Sequence, residues 1–469
     1  MHDTALISVQ NSEVAPLPAT ESLAQRLIAL LEAVLTQERA SQEVAVVAKR
    51  GRGRPAHLSL EHLWLVLLLG LLRQATHLST MWRWLCTQPT GSFAPVKLTY
   101  SALRQRLLAA GSGPLQQFFQ TLTRALAHWE QTQPVSAVSV ASFATTIVAL
   151  DETTLERLHR LTQELRAVPE GDPHLIAGKL AGLFDLRAQR WVRVQFRADV
   201  LAACNSGVLL LLEGLAKGSL ILADLGYFSF PWFDYLTGQG YWWVSRLKEK
   251  TTYQIEQVLA YDDHTGFLDA IVWLGKHRAD RAAHPARLLL FSWGGRQYRY
   301  LTNVLDPTQL SGWEIASLYS RRWDIELAFK LLKCQLGLCL WWGARPELVL
   351  IQLWLALILA QLLHALQLHV ALQAEVEPFD VSFPILLELL PLLPASGPSL
   401  LARLVEEGRP LGLIRPSRRY QVVVPQAPSR ALTVPPTLPS HPRAARYAQR
   451  NPHPRTAPFR SSFLTQLLI

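Results

Sequence analysis

The chain has 469 residues, 49% hydrophobic and 17% charged, with 46 Lys and Arg against 36 Asp and Glu for a formal net charge of +10. That length calls for two or three compact units, the apolar content excludes a disordered chain, and the basic excess points to a polyanionic partner. Cys86, Cys204, Cys334 and Cys339 are too scattered for a disulfide framework or a Cys/His metal site, as expected of a protein in a reducing cytoplasm.

Residues 1–135 read as a helical domain, with amphipathic segments at 21–37, 58–73, 78–86 and 101–127 punctuated by Pro and Gly. The N-terminus has no basic start before an apolar core, so no secretory signal is expected. Between the first two helices stand Arg50, Arg52 and Arg54 in an Arg-Gly-Arg-Gly-Arg-Pro run. Its core resembles the AT-hook, which lays arginines in a narrow minor groove; it reads equally as a basic linker touching phosphates, and either use puts DNA-binding cations beside a helical domain.

An α/β pattern begins near Phe143. Residues 145–150 form a β-branched apolar run ending at Asp151, and residues 220–223 read as another buried strand ending at Asp224. Segments 176–186 and 190–198 read as a hairpin, 206–216 and 231–237 as helices, and 241–246 as a strand. From 248 to 300 the helical period gives way to β-prone pieces at 270–274, 286–293 and 297–302, an apparent β-rich insertion. Helical pattern returns from 312 to 338 and again from 346 to 373. The organisation expected is a catalytic core in two parts, 140–247 and 301–375, split by the insertion at 248–300. A helical segment at 376–408 and a tail at 409–469 follow. The tail holds ten arginines and no acidic residue, and is expected to be extended and disordered.

The apolar stretch 348–372 is long enough to span a bilayer, but Gln352, Gln361, His364, Gln367 and His369 interrupt it, so a buried helix is expected rather than a membrane span. Sedimentation with membranes would reverse that reading.

Asp151 and Asp224 each follow a buried strand, and adjacent strand ends bring side chains to one edge of a sheet. Either alone could be an ordinary turn residue. On the helix after the insertion, Tyr319, Arg322, Glu326 and Lys333 fall at offsets 0, 3, 7 and 14, within an arc of roughly 60° at 100° per residue. Leu318, Trp323, Ile325, Leu327, Phe329, Leu331 and Leu332 occupy the other faces, so the helix is expected to be packed on several sides. In isolation the stripe could be a salt-bridged solvent face. Beside the two aspartates it suggests a carboxylate that meets a metal ion, flanked by cations that meet phosphates.

The spacing Tyr319-x2-Arg322-x3-Glu326-x6-Lys333 resembles the Y-R-E-K signature of the insertion sequence 4 family of DDE transposases. Asp151-Glu152-Thr153-Thr154-Leu155 and Leu222-Ala223-Asp224-Leu225-Gly226-Tyr227-Phe228 resemble its two aspartate motifs. The resemblance implies a ribonuclease H-like mixed sheet with helices on both faces, interrupted by a β-strand insertion. It implies that Asp151, Asp224 and Glu326 bind two Mg²⁺ or Mn²⁺ ions, that Tyr319 and Arg322 touch phosphate near the cleaved end, and that Lys333 grips terminal DNA. Tyr298 in the insertion could stack on a flipped base, with Trp293 and Tyr300 equally placed. Leu225 departs from the pattern, standing where many relatives carry Arg. The activity implied is cut-and-paste transposition on double-stranded DNA by a cytoplasmic, nucleoid-associated homodimer bound to paired element ends. The alternative is a decayed copy that binds DNA without cutting it.

Overall fold

The computed structural model describes residues 58–90, 93–131, 140–156, 176–199, 207–262, 264–275, 281–338, 340–343, 345–390, 400–416 and 424. The predicted helix at 21–37, Arg50, Arg52, Arg54 and nearly all of the basic tail lie outside those residues. The first described elements are four helices, α1 (Leu60–Leu72), α2 (Leu78–Thr87), α3 (Tyr100–Ala110) and α4 (Gly113–Gln131). Ser59 and Thr99 begin α1 and α3 by accepting the backbone N–H of His62 and Ala102 at 3.2 Å each, leaving fewer orphan donors in each first turn. The segment expected to be one helix over 101–127 is two. Gly111 takes φ +66°, the left-handed conformation that ends a helix at little cost for glycine.

Nine strands form one sheet: β1 (Ile147–Glu156), β2 (Ile176–Asp185), β3 (Arg190–Arg197), β4 (Leu220–Ala223), β5 (Trp242–Arg246), β6 (Tyr253–Asp262), β7 (Phe267–Leu274), β8 (Ala286–Trp293) and β9 (Arg296–Thr302). Their order across the sheet is β3-β2-β1-β4-β5-β9-β8-β7-β6. β1, β2 and β3 pair antiparallel, β1, β4 and β5 pair parallel, and β9 then joins β5 antiparallel to begin a four-stranded meander. The β-rich stretch thus widens the sheet that carries the two aspartates. Sequence reading found β7, β8 and β9 but not β6, whose Gln254, Glu256 and Gln257 face outward on the edge of the sheet and dilute its apolar signal.

Alternate residues of β1 enter different cores, as the period of two requires. Ile147, Ala149 and Leu155 pack with the N-terminal helices and with α7 (Gly312–Arg321), α8 (Trp323–Lys330) and α9 (Pro346–Gln373). Val148 and Leu150 pack on the opposite face with α5 (Val208–Leu212) and α6 (Phe230–Gly238). The expected helix at 206–216 is only the short α5 among its described residues. Two further helices, α10 (Phe383–Leu389) and α11 (Leu400–Glu406), follow α9.

By length and composition α9 could cross a membrane, but here 89% of its most apolar window is buried inside the protein. Three glutamines on it are satisfied within the fold. Gln352 accepts from Trp342 N at 2.9 Å and donates to Leu340 O at 2.8 Å, and Gln367 donates to Val381 O at 2.8 Å. Gln361 acts as a substitute strand: it accepts from Trp191 N and donates to Trp191 O, both at 2.9 Å, and also donates to Thr123 Oγ1 at 2.8 Å. β3 is an edge strand, and this amide satisfies backbone groups that no further strand among the described residues reaches.

Candidate active site

Asp151 and Asp224 are brought together by strand register. Leu150 lies opposite Ala223 in the parallel ladder, so the next residue on each chain emerges at the same edge of the sheet. Asp151 continues β1, whereas Asp224 leaves β4 into a 3-10 turn over Leu225–Tyr227. The Asp151 Oδ1 atom accepts the backbone N–H of Glu152 at 2.8 Å. Asp151 is largely buried and Asp224 is about half exposed.

The third carboxylate arrives on α8, which is seated on the sheet through Phe329 against Trp191, with ring centroids 5.0 Å apart. The expected continuous helix over 312–338 is interrupted twice. Ser311 starts α7 with a capping box closed by Glu314, whose other oxygen accepts Ala141 N at 3.0 Å and ties this helix to the approach to β1. A tight turn at Arg322 separates α7 from α8, with Arg322 N donating to Tyr319 O at 3.1 Å. A π turn over Leu331–Gln335 then delivers Lys333, whose Nζ donates to Thr153 Oγ1 at 2.9 Å.

At the centre is Arg322, buried and within reach of all three acids. Its Nη1 lies 3.2 Å from Asp151 Oδ2, its Nη2 2.7 Å from Glu326 Oε1, and its Nε 3.9 Å from Asp224 Oδ1. The last separation is too long for a hydrogen bond, and the buried Nε–H has no acceptor among the described residues. The guanidinium carbon lies 5.9 Å from the Tyr319 ring centroid and 5.6 Å from that of Trp323. Three carboxylates against one guanidinium leave two negative charges uncompensated when all are ionised.

Burial pushes the Asp151 carboxyl up to about 6, and the like charges of Asp224 and Glu326 act in the same sense; the Glu152 N–H and Arg322 oppose them. Burial likewise pushes the Tyr319 hydroxyl up to about 12, with Arg322 pulling the other way. Burial draws Arg322 down, but Tyr319, Asp224, Glu326 and Asp151 together hold its proton more firmly than usual.

All six core residues read from the sequence therefore gather on one side of the sheet. Arg322 and Lys333 reach β1 at Asp151 and Thr153, Glu326 pairs with Arg322, and Tyr319 packs on Tyr300 of β9. Tyr298 stacks on Phe291 at 5.2 Å and sits 6.3 Å from Tyr300, which lies 5.2 Å from Tyr319, so an aromatic ladder runs from the added strands to the site. The expectation of a helix packed on several sides is corrected: Trp323 and Leu327 are 59% and 46% exposed, because α8 lies at the rim of the sheet with one flank uncovered.

Two participants were missed. Trp323 was taken for core packing, and only its place directly after Arg322 hinted otherwise. Arg246 ends β5, in register with Tyr300, and its charge favours ionisation of both Tyr300 and Tyr319. The signal was available, since Arg246 ends the third parallel strand, as Asp224 directly follows the second. Behind the site, Glu152 points to the opposite face and pairs with Lys179 at 3.1 Å and with Arg197.

The donor set suits a hard divalent cation: three carboxylates, excess negative charge and a cation already among them. As the side chains stand, no three His, Cys, Asp or Glu among the described residues converge closely enough to hold an ion, because the Arg322 guanidinium lies between these acids.

Residues 143–362 match the model of the transposase DDE domain family, a span that contains all of these site residues and none of the N-terminal helices. The chain is 30% identical over 155 residues to the transposase InsG for insertion sequence element IS4 of Escherichia coli (strain K12), covering 31% of this chain and 34% of that protein. The match thus spans about a third of the curated relative's length. A cryo-EM structure of the piggyBac transposase synaptic complex with hairpin DNA aligns with a TM-score of 0.37 and 9% identity, over 73% of this chain and 74% of that one, too remote to bear on the assignment. On the family match and the InsG identity, residues 143–362 are similar to the DDE transposases of the insertion sequence 4 type.

Proposed function

We propose that this protein is a cut-and-paste transposase whose catalytic acids are Asp151, Asp224 and Glu326. The observation that carries the proposal is the convergence of these three acids, from three separate segments, on the guanidinium of Arg322. A ribonuclease H-like core is the fold reading that accompanies it, supported by the strand order β3-β2-β1-β4-β5 with β2 antiparallel to its neighbours. Within that reading 140–247 and 301–375 form the core, 248–300 the insertion, 1–135 the DNA-binding domain, 376–408 a helical segment and 409–469 a basic tail.

Asp151, Asp224 and Glu326 would hold two Mg²⁺ or Mn²⁺ ions, which when bound supply an activated water or 3′-hydroxyl and stabilise the leaving oxygen of the phosphodiester. Arg322 and Tyr319 orient the scissile phosphate, and Lys333 binds the backbone of the terminal DNA. Hydrolysis exposes 3′-hydroxyls at the element ends, which then attack target DNA in line. Tyr298 belongs to the surface facing the flanking bases. Double-stranded DNA is the partner, a homodimer on paired ends the assembly, and the cytoplasmic nucleoid the location. Arg50, Arg52 and Arg54 add phosphate or minor-groove contacts.

The test is cleavage of a plasmid carrying the terminal sequences that flank the gene, with Mg²⁺ and with chelator. Metal-dependent nicking at those ends supports the reading; end binding with no nicking at any Mg²⁺ or Mn²⁺ concentration would instead support a decayed DNA-binding copy.

A further inference from the structure

Arg322 does two incompatible things in the proposed mechanism. It is meant to orient a phosphate, yet here its hydrogen-bonding nitrogens are spent on the acids that must bind metal. Nη1 and Nη2 engage Asp151 and Glu326, while Nε is buried without an acceptor among the described residues and stops 3.9 Å short of Asp224. A divalent cation held between the three acids would take the place that the guanidinium fills, where two cations side by side repel. The planar fork satisfies two acids well and the third poorly, which leaves the cluster two negative charges in excess, a demand that one guanidinium cannot meet. The way out is short. Arg322 lies against the ring of Trp323, itself 59% exposed, so a swing along that ring carries the guanidinium from the acids toward solvent while keeping an aromatic face beside it.

We infer that Arg322 is the resident cation of the metal-free site, that divalent metal loads by displacing it, and that a DNA phosphate, by taking the displaced guanidinium, makes metal binding tighter. This rests on reading the three acids as the metal site. The same coupling must then work in reverse, with metal tightening the grip on phosphate, because linkage is reciprocal. The arrangement keeps the centre without metal until DNA arrives.

The experiment is a Mn²⁺ titration of the full-length protein, followed by electron paramagnetic resonance of free Mn²⁺, without DNA and with a short DNA duplex. Asp151→Asn, Arg322→Lys and Arg322→Ala are compared with wild type, and circular dichroism establishes which variants fold. Lysine keeps the charge but cannot bridge several acids. Displacement predicts that Arg322→Lys binds Mn²⁺ more tightly than wild type without DNA, that Arg322→Ala is tighter still by roughly 5–150-fold, and that the duplex strengthens Mn²⁺ binding more in wild type than in either variant. Unchanged or weaker binding by Arg322→Lys overturns the inference even if the alanine variant fails to fold. If Asp151→Asn binds Mn²⁺ as wild type does, the metal-site reading itself has failed.

Discussion

Arg322 hydrogen-bonds to Asp151 at 3.2 Å although 171 positions separate them in the chain. Close approach of such distant residues depends on everything that seats α8 over β1.

The first support is Gln361, whose amide serves both backbone groups of the buried edge residue Trp191. Gln361→Leu keeps the volume but strands those groups, so the variant should lose about 2–6 kcal/mol of stability, from the roughly 1–3 kcal/mol cost of each unpaired buried group. Urea denaturation followed by tryptophan fluorescence measures this. An unchanged midpoint would mean that Gln361 is a passenger.

A buried ion pair anchors the added strands to the start of α7. Arg287 Nε and Nη2 donate to Asp269 at 2.7 and 2.6 Å, and its Nη1 donates to Leu310 O at 2.6 Å, just before the Ser311 cap. Arg287→Met leaves a buried carboxylate unpaired and should cost about 3–5 kcal/mol, whereas adding Asp269→Leu should restore much of the loss. A double variant as unstable as the single one would contradict this account.

His364 lies inside the apolar core, between Phe184 and Phe383, and neither ring nitrogen has a hydrogen-bond partner among the described residues. Burial draws it down to about 3 from an ordinary 6.5. Below pH 6.5 the unfolded chain takes up a proton that the native state refuses, so stability falls as pH drops toward 3, by about 1.4 kcal/mol per unit. His364→Leu should therefore gain on wild type by about 2 kcal/mol between pH 6.5 and pH 5 in thermal melts. A stability difference that stays constant with pH would show that the imidazole does not titrate in this way.

Lys333 now donates to Thr153 Oγ1 beside Asp151. If it takes a terminal phosphate, Lys333→Ala should weaken end binding and lower the slope of log affinity against log salt by about one. A weaker complex with an unchanged slope would assign Lys333 to supporting β1 alone.

Much of this site was legible because its signals are local. A buried apolar strand followed by Asp, recurring after a hairpin and a helix, foretold Asp151 and Asp224. The i, i+3 and i+7 spacing foretold the shared face of Tyr319, Arg322 and Glu326. What escaped depends on long-range arrangement. The single sheet running from β3 to β6 needs pairing of β5 with β9, which no local pattern encodes. The break at Gly111 was hidden by continuous amphipathic character on both sides. Trp323 read as core because composition does not say that α8 sits at a rim. Nor could spacing reveal that Arg322, read as a phosphate ligand, would occupy the midst of the three acids.

The central claim is that Asp151, Asp224 and Glu326 act as one metal-dependent centre. Its most direct test is Mg²⁺-dependent cleavage at the element ends by Asp151→Asn, Asp224→Asn and Glu326→Gln, with end binding measured in parallel. The account predicts that each substitution lowers the cleavage rate by roughly 10³-fold or more, as for groups that act together, while the protein still binds the ends. Near-wild-type cleavage by any one of the three would contradict it.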